Sequence, residues 1–228
     1  MNRYSPTKSI KAAWDVIGGL SFPSKMPCPG YSIPAATCQL GSKLRKVSGT
    51  ICSMCYACKG FYVFKVATAA MWRRYGALER AFGSFVDTTH WLDAFETVLA
   101  DMHSRKGCSH FRWHDSGDIQ STWHLHLIVA LAERMPHISF WLPTREYKLV
   151  SDYLKAGNVI PPNLCVRLSA HMVDGKSPAI GGLACSEVHS TEPRVDGTSC
   201  GAYLNGGHCG NCRRCWDDGE ALVSYPSH

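Results

Sequence analysis

The sequence lacks long hydrophobic runs and has few charged residues. It contains no stretch of about 18 consecutive apolar residues, the length at which a membrane-spanning helix becomes a candidate, so we expect no membrane partner. The N-terminal residues, Met1 to Pro6, are not followed by the apolar segment of a secretory signal, and we therefore expect a cytoplasmic protein. Apolar residues make up 45% and charged residues 18% of the chain, which is typical of a globular protein.

Functional motifs of several common kinds are also missing. There is no glycine-rich phosphate loop, because the glycine-rich stretch 201–210 lies among cysteines, where glycines allow tight turns. Paired carboxylates for acid–base catalysis are not evident. The chain shows no internal repeat and no low-complexity linker, and residues 1–228 are predicted to form a single α/β domain. The net charge of +6 would suit nucleic acid, but the basic residues look scattered and a solvated surface explains them.

The middle of the chain alternates between helical and strand-like patterns. Helical periodicity predicts helices over about 62–82, 88–107, 121–135 and 144–157, and strands are predicted at 109–113, 138–142 and 164–168. This alternation indicates βαβ units and a parallel sheet. Right-handed crossovers would wind the sheet into a partial parallel (β/α) barrel, with its chemistry at the carboxyl ends of the strands.

Polar side chains follow these predicted strands at their carboxyl ends. They are His114 to Asp118 after the first strand, Thr144 and Arg145 after the second, and Ser169 and His171 after the third. Beyond Gly175 the apolar periodicity is lost, and the chain becomes rich in Gly, Ser and Cys. We predict that residues 176–228 form a cysteine-rich C-terminal extension of the same domain, ordered by a metal because its own core is too small.

The chain has twelve cysteines, which need an explanation because the reducing cytosol disfavours disulfides. Cys52, Cys55 and Cys58 are separated by two-residue gaps, with Cys28 and Cys38 upstream. Such gaps let the chain loop around a cuboidal cluster, and thiolate is the ligand of iron–sulfur chemistry. No histidine lies among these cysteines, so an iron–sulfur cluster is favoured over a Cys/His zinc site. For Cys28 and Cys58, a buried structural role is equally plausible.

A second group consists of Cys200, Cys209, Cys212 and Cys215. Four thiolates complete the coordination of a [4Fe–4S] cluster, and they would equally complete a structural zinc site. Cys165 lies inside a predicted strand and is assigned to the core, and Cys185 is a further candidate for the second site.

Several segments resemble one protein family. The segment Thr50 to Gly60 resembles the cluster-binding segment of phage-encoded proteins of the gene-product-88-like family, which are similar in turn to radical S-adenosylmethionine (SAM) enzymes. The segments 111–118 and 209–216, and the ending 223–228, match the same family. The resemblance extends from about Lys25 to the end of the chain, and it implies a fold like the radical SAM core and, for a phage protein, a location in the host cytoplasm.

The resemblance also implies a set of ligands. Cys38, Cys52 and Cys55 would hold a catalytic [4Fe–4S] cluster with one iron open to SAM, and the second group would hold an auxiliary cluster. Ser116, Gly117 and Asp118 would stand where radical SAM enzymes have a glycine-rich motif ending in a carboxylate, and Asp118 would accept a hydrogen bond from the SAM amino group. A turn followed by a helix N-cap explains this tripeptide equally well.

The cysteine spacing departs from the usual Cys-x3-Cys-x2-Cys of radical SAM enzymes, because a long loop separates Cys38 from Cys52. If Cys28 or Cys58 served as a fourth ligand, no iron would be open to SAM. Two alternatives therefore stay open: a non-catalytic iron–sulfur protein for electron transfer or redox sensing, and a zinc-stabilised module that binds nucleic acid. A redox role would require an electron donor, and the sequence does not identify a substrate.

Overall fold

The computed structural model describes residues 9–190 and 198–227. Its α-helices are α1 (Ile10–Ile17), α2 (Gln39–Leu44), α3 (Lys65–Ala81), α4 (Phe85–Lys106), α5 (Thr122–Arg134) and α6 (Tyr147–Lys155). Its strands are β1 (Gly30–Tyr31), β2 (His110–Trp113), β3 (Ser139–Thr144), β4 (Leu164–Ser169), β5 (Ala184–His189), β6 (Thr198–Ser199) and β7 (Leu222–Pro226). No helix in the described part of the chain is both long and apolar enough to cross a membrane.

The strands form a seven-stranded sheet in the order β1-β2-β3-β4-β5-β7-β6, and every neighbouring pair is parallel. The predicted α/β class and parallel sheet are therefore confirmed. The sheet is open: β1 and β6 stand at its two edges, and no pairing between described strands closes it into a barrel.

The region after Gly175 contributes more to the sheet than the sequence pattern indicates. Here the structure adds β5, β6 and β7, and β7 pairs with β5 along five residues. The missing pattern has a physical reason: β5 buries Ser186, Glu187 and His189 instead of the aliphatic side chains that usually mark a strand. The role of a metal in ordering residues 176–228 stays a prediction.

The predicted helices are present, with shifted ends. Helix α4 begins before Thr88 because Ser84 is its N-cap, and the Ser84 hydroxyl accepts a hydrogen bond from the backbone N–H of Asp87 at 3.1 Å. Helix α5 begins as predicted after its N-cap, Ser121. Helix α6 begins only at Tyr147, because Thr144 is the last residue of β3.

The two faces of the sheet have different environments. Alternate residues of the central strands, such as Phe111, Leu142 and Val166, pack with α4 and α5 in the main hydrophobic core. The intervening residues lie on the opposite face, where Trp141 packs against Cys28 and Trp216 in a smaller cluster. This second face is covered by loops that carry cysteines, so the topology leads directly to the candidate site.

Candidate functional site

Four cysteines form a first group near the carboxyl ends of the strands: Cys38, Cys52, Cys55 and Cys58. The sulfurs of Cys38 and Cys52 each lie 3.7 Å from the point that a Cβ on Gly41 would occupy. Cys55 interacts electrostatically with Cys38, Cys52 and Cys58. The absent side chain of Gly41 thus leaves room beside two of the sulfurs.

Short 3₁₀ helices present three of these cysteines together. Cys52 lies in the 3₁₀ helix Ile51–Met54 and Cys58 in the 3₁₀ helix Tyr56–Cys58, with Cys55 between them. The N–H of Cys55 bonds to the carbonyl of Cys52 at 3.2 Å, and the N–H of Cys58 bonds to the carbonyl of Cys55 at 3.1 Å. Because a 3₁₀ helix has three residues per turn, side chains three positions apart share one side. Cys55 interrupts this period, since it lies between the two 3₁₀ helices with an extended ψ of 116°, but all three thiols still line one cavity.

Backbone contacts anchor this segment to the sheet. The N–H of Ile51 donates to the carbonyl of His171 at 2.9 Å, just beyond the carboxyl end of β4. The Thr50 hydroxyl, which is fully buried, accepts from the N–H of Ser53 at 3.1 Å and caps the first 3₁₀ helix. Leu40, near Cys38, donates its N–H to the Glu146 carboxylate at 2.8 Å. The first group is thereby tied to the ends of β3 and β4.

The tripeptide Ser116-Gly117-Asp118 lies beside the first group. Gly117 has a φ of +89°, and a Cβ there would lie 2.2 Å from Cγ1 of Ile33. The N–H of Ile33 donates to the carbonyl of Ser116 at 3.0 Å. The glycine therefore lets the turn after β2 pack closely against the segment that leads to Cys38.

Asp118 is buried and already has several hydrogen-bond donors. Its Oδ1 accepts from the Thr144 hydroxyl at 2.6 Å and from the N–H of Ile119 at 2.8 Å, and its Oδ2 accepts from the N–H of Arg145 at 3.0 Å. Burial raises the pKa of Asp118 to about 6, although these donors favour the ionised form. A carboxylate has about four acceptor positions, so one position on Oδ2 remains.

Two arginines bring positive charge to the first group. Arg45 lines a cavity of about 340 Å³ together with Cys52, Cys55 and Cys58. Burial raises the pKa of Cys52, and the nearby charges of Arg145 and Arg45 oppose that shift. Without a metal the buried Cys52 thiol is therefore expected to stay protonated near neutral pH, and metal binding would displace its proton.

The second group contains Cys200, Cys209, Cys212 and Cys215 on the face opposite the helices. Cys200 interacts electrostatically with Cys209 and Cys215, and Cys209 also interacts with Cys212. Burial raises the pKa of Cys215 to about 11, and the hydrogen bond between its sulfur and the Tyr225 hydroxyl, 3.1 Å long, acts in the opposite direction.

Buried side chains hold the segment of the second group in place. Arg167 is fully buried, and its guanidinium donates to the carbonyls of Arg214 (3.2 Å), Asp217 (2.8 Å) and Glu220 (2.9 Å). The indole N–H of Trp216 donates to the carbonyl of Phe111 at 2.8 Å. These contacts fix the chain on both sides of Cys215.

The structure also places the cysteines whose roles the sequence left open. Cys28 lies near Cys209 in the second group, whereas Cys58 belongs to the first. Cys185 packs against the main core, and its sulfur faces the carbonyl of Pro178 at 3.5 Å. Cys165 is buried as predicted, but it faces Arg167, at 3.6 Å, instead of the helices.

Neither group is arranged around a single metal ion. Within residues 9–190 and 198–227, no three Cys, His, Asp or Glu side chains lie close enough together to hold one ion. A tetrahedral zinc site needs four ligands at about 2.0–2.3 Å from one centre. A cuboidal cluster binds each thiolate to a different iron, and its ligands stand farther apart. The donor set of the first group, four thiols with space beside them, fits such a cluster.

A family model described as gene product 88 matches residues 2–218. The chain belongs to the gene product 88 family. No curated protein and no solved structure matches the chain significantly.

In this gene product 88 protein, several residues of the site were not found from the sequence. Gly41 and Arg45 carry no motif of their own, and only their position near the cysteines in space identifies them. Arg167 did leave a signal, since it is a charged residue within the otherwise largely apolar strand β4. A fully buried arginine in such a strand indicates a specific set of acceptors.

Proposed function

We propose that this chain is an iron–sulfur protein of the radical SAM type, in which Cys38, Cys52 and Cys55 hold a [4Fe–4S] cluster. The observation that carries the proposal is the gathering of these cysteines at the carboxyl ends of parallel strands, where α/β proteins place their chemistry. In this interpretation the open sheet corresponds to the partial barrel of radical SAM enzymes. When bound, the cluster would supply the electron for reductive cleavage of SAM.

The chain's own residues have definable roles in this proposal. Gly41 leaves the space beside Cys38 and Cys52. Arg45 and Arg145 offset the negative charge of the thiolates in a partly buried site. The free acceptor position on Oδ2 of Asp118 could take the amino group of SAM. Ser116 and Gly117 hold that carboxylate in place through the turn after β2.

The second group, Cys200, Cys209, Cys212 and Cys215, would hold an auxiliary [4Fe–4S] cluster; zinc, the alternative there, would require these side chains to move closer together. Four thiolates leave no iron open, so this site would store or pass electrons or stabilise the fold.

A second candidate function follows from the position of Cys58. Its side chain interacts electrostatically with Cys55 and Cys52 and lines the same cavity. As a fourth ligand it would close the cluster, and the protein would then be an electron-transfer or redox-sensing protein that does not cleave SAM.

Anaerobic purification followed by measurement of iron, zinc and sulfide tests the proposal. Two clusters predict about eight irons per chain with matching sulfide. Cys55→Ser is expected to lose about four of these irons, whereas Cys58→Ser should keep them and its reduced spectrum should change on addition of SAM. Cys185→Ser, outside both groups, serves as the matched control.

The other outcomes are equally definite. Loss of the cluster in Cys58→Ser, together with a wild-type spectrum that does not respond to SAM, would favour the electron-transfer protein. Zinc without iron or sulfide would contradict both functions and leave the zinc-stabilised nucleic-acid-binding module as the remaining interpretation.

A further inference from the structure

Large apolar side chains are exposed next to the first cysteine group. Phe61 and Val66 are 80% and 84% exposed, and the rings of Phe61 and Phe64 contact each other with centroids 5.2 Å apart. Together with the half-exposed Met54 and Val63, these residues form what we call the apolar patch. Clustered exposed apolar residues of this kind mark interaction surfaces more often than isolated ones.

The apolar patch adjoins the candidate cluster site. Met54 lines the same cavity as Cys52, Cys55 and Cys58, and the Cys58 side chain is itself exposed. A protein that covered the patch would therefore lie against the open side of the first group, the geometry that short-range electron transfer requires.

The segment that carries the patch has an unusual charge distribution. No acidic residue lies between Asp15 and Glu79, whereas eight basic residues lie there: Lys25, Lys43, Arg45, Lys46, Lys59, Lys65, Arg73 and Arg74. The rest of the chain has 16 basic and 18 acidic residues, since the totals are 24 and 18, so this segment accounts for the whole positive charge. The basic residues are thus not scattered, as the sequence analysis assumed.

Two of these lysines border the patch directly. Lys59 and Lys65 lie between residues of the patch in the sequence, after Met54 and before Val66, and both are exposed. Neither forms an ion pair with another residue of the described chain. Unpaired charges around an apolar centre favour a partner that has acidic residues around its own contact surface.

We propose that the apolar patch docks an acidic one-electron carrier protein. The inference rests on the proposed function, because the docked carrier loses one electron and the cluster held by Cys38, Cys52 and Cys55 gains it, with no bond made or broken. Phe61 and Phe64 offer rings to a protein or a nucleic acid alike, whereas the other three patch residues, Met54, Val63 and Val66, are aliphatic and favour a protein. Their burial stabilises a protein interface but offers no ring for stacking bases.

Binding of oxidised flavodoxin, an acidic carrier, to the anaerobically purified protein tests the proposal by calorimetry. The double variant Phe61→Ser/Val66→Ser should weaken binding at least about tenfold, as loss of interface anchors does. Lys59→Glu/Lys65→Glu should weaken it similarly, and binding should weaken as salt increases. Phe61, Val66 and Lys65 do not line the cysteine cavity. Lys59 does, so the iron content of the lysine variant is measured together with its binding.

The matched control is Phe85→Ser/Val86→Ser, where the two side chains are 84% and 64% exposed. They lie beyond the far end of the 17-residue helix α3, about 25 Å along its axis from the patch. Failure of flavodoxin to bind, or an equal loss in this control, would overturn the proposal. Competition between a single-stranded oligonucleotide and flavodoxin would also overturn the proposal, if Phe61→Ser/Val66→Ser abolished oligonucleotide binding and the control variant did not.

Iron and sulfide measured on the same samples separate this proposal from the preceding one. If the iron-loaded protein does not bind flavodoxin, the docking proposal is contradicted but the proposed iron–sulfur function is not. Protein without iron or sulfide contradicts the proposed function. It also contradicts an electron-transfer role for the apolar patch, even if flavodoxin binds there.

Discussion

Replacing Arg167 by methionine should loosen the segment that carries Cys215. The arginine is fully buried, and its guanidinium donates to the carbonyl oxygens of Cys185, Arg214, Asp217 and Glu220 at 2.8–3.2 Å. Three of these acceptors lie in residues 214–220. Methionine fills a similar volume but provides no donor, so the variant leaves these carbonyls without their partner.

The expected loss follows from the number of these bonds. A hydrogen bond to a charged group contributes about 1.5–3 kcal/mol net, so four would give roughly 6–12 kcal/mol if they were independent. They are not independent, and water can reach part of the 214–220 segment once it loosens. We therefore expect Arg167→Met to lower the free energy of unfolding by about 3–5 kcal/mol.

Denaturant unfolding and amide hydrogen exchange measure this effect. The unfolding midpoint should fall with little change in slope, and protection in residues 209–220 should fall first. Arg167→Lys keeps the charge without the planar fork and should be intermediate. Arg105→Met, whose side chain is 74% exposed, should change stability by less than about 0.5 kcal/mol. A loss below about 1 kcal/mol in Arg167→Met would refute the assigned role.

Three further changes test other parts of the structure. Gly117→Ala should destabilise the protein by about 2–4 kcal/mol in thermal unfolding, because its φ is +89° and the methyl would lie 2.2 Å from Cγ1 of Ile33; a loss under about 1 kcal/mol would show that the turn can move. Burial lowers the pKa of His124 to about 3, against about 6.5 in the unfolded chain. The neutral imidazole therefore contributes its full stability above pH 6.5, and the free energy of unfolding should fall by about 2 kcal/mol at pH 5. The acid-induced loss of stability should be smaller in His124→Asn, and an identical pH dependence would contradict the assignment. Trp216→Ala should cost about 3–5 kcal/mol in denaturant unfolding; a loss below about 1 kcal/mol would contradict the anchoring role of this indole, which is buried and hydrogen-bonded to Phe111.

The central part of the fold could be predicted because its elements follow simple periodicity. Strands such as β4 and helices such as α5 have apolar residues at the spacing of their own geometry, and Ser121 and Gly107 mark helix ends. Strands β5, β6 and β7 could not be found in this way. Their buried residues include Ser186, Ser224 and His189, whose burial depends on partners far away in the sequence, such as the hydrogen bond between Ser224 and His189 at 2.6 Å.

The candidate site also has a part that local sequence predicts and a part that depends on long-range packing. The two-residue gaps between Cys52, Cys55 and Cys58 are local, so the sequence sufficed to suggest a shared site for them. The choice between Cys28 and Cys58 was not local: Cys28 is placed in the second group by its packing against Trp141 and Trp216 and by its nearness to Cys209, all distant in the sequence. Whether Cys58 binds a cluster stays a question for the serine variants, since its position beside Cys55 suits either function.

Arg112 shows that the two cysteine groups share one supporting structure. Its Nη2 donates to the Tyr56 hydroxyl at 3.4 Å, and its Nη1 faces the sulfur of Met26 at 3.5 Å. Tyr56 directly follows Cys55, while the Met26 sulfur lies 4.0 Å from the sulfur of Cys209. A single guanidinium on β2 therefore lies between a residue next to the first group and a residue that contacts the second. Arg112 therefore links the surroundings of the two groups, although long stretches of sequence separate them.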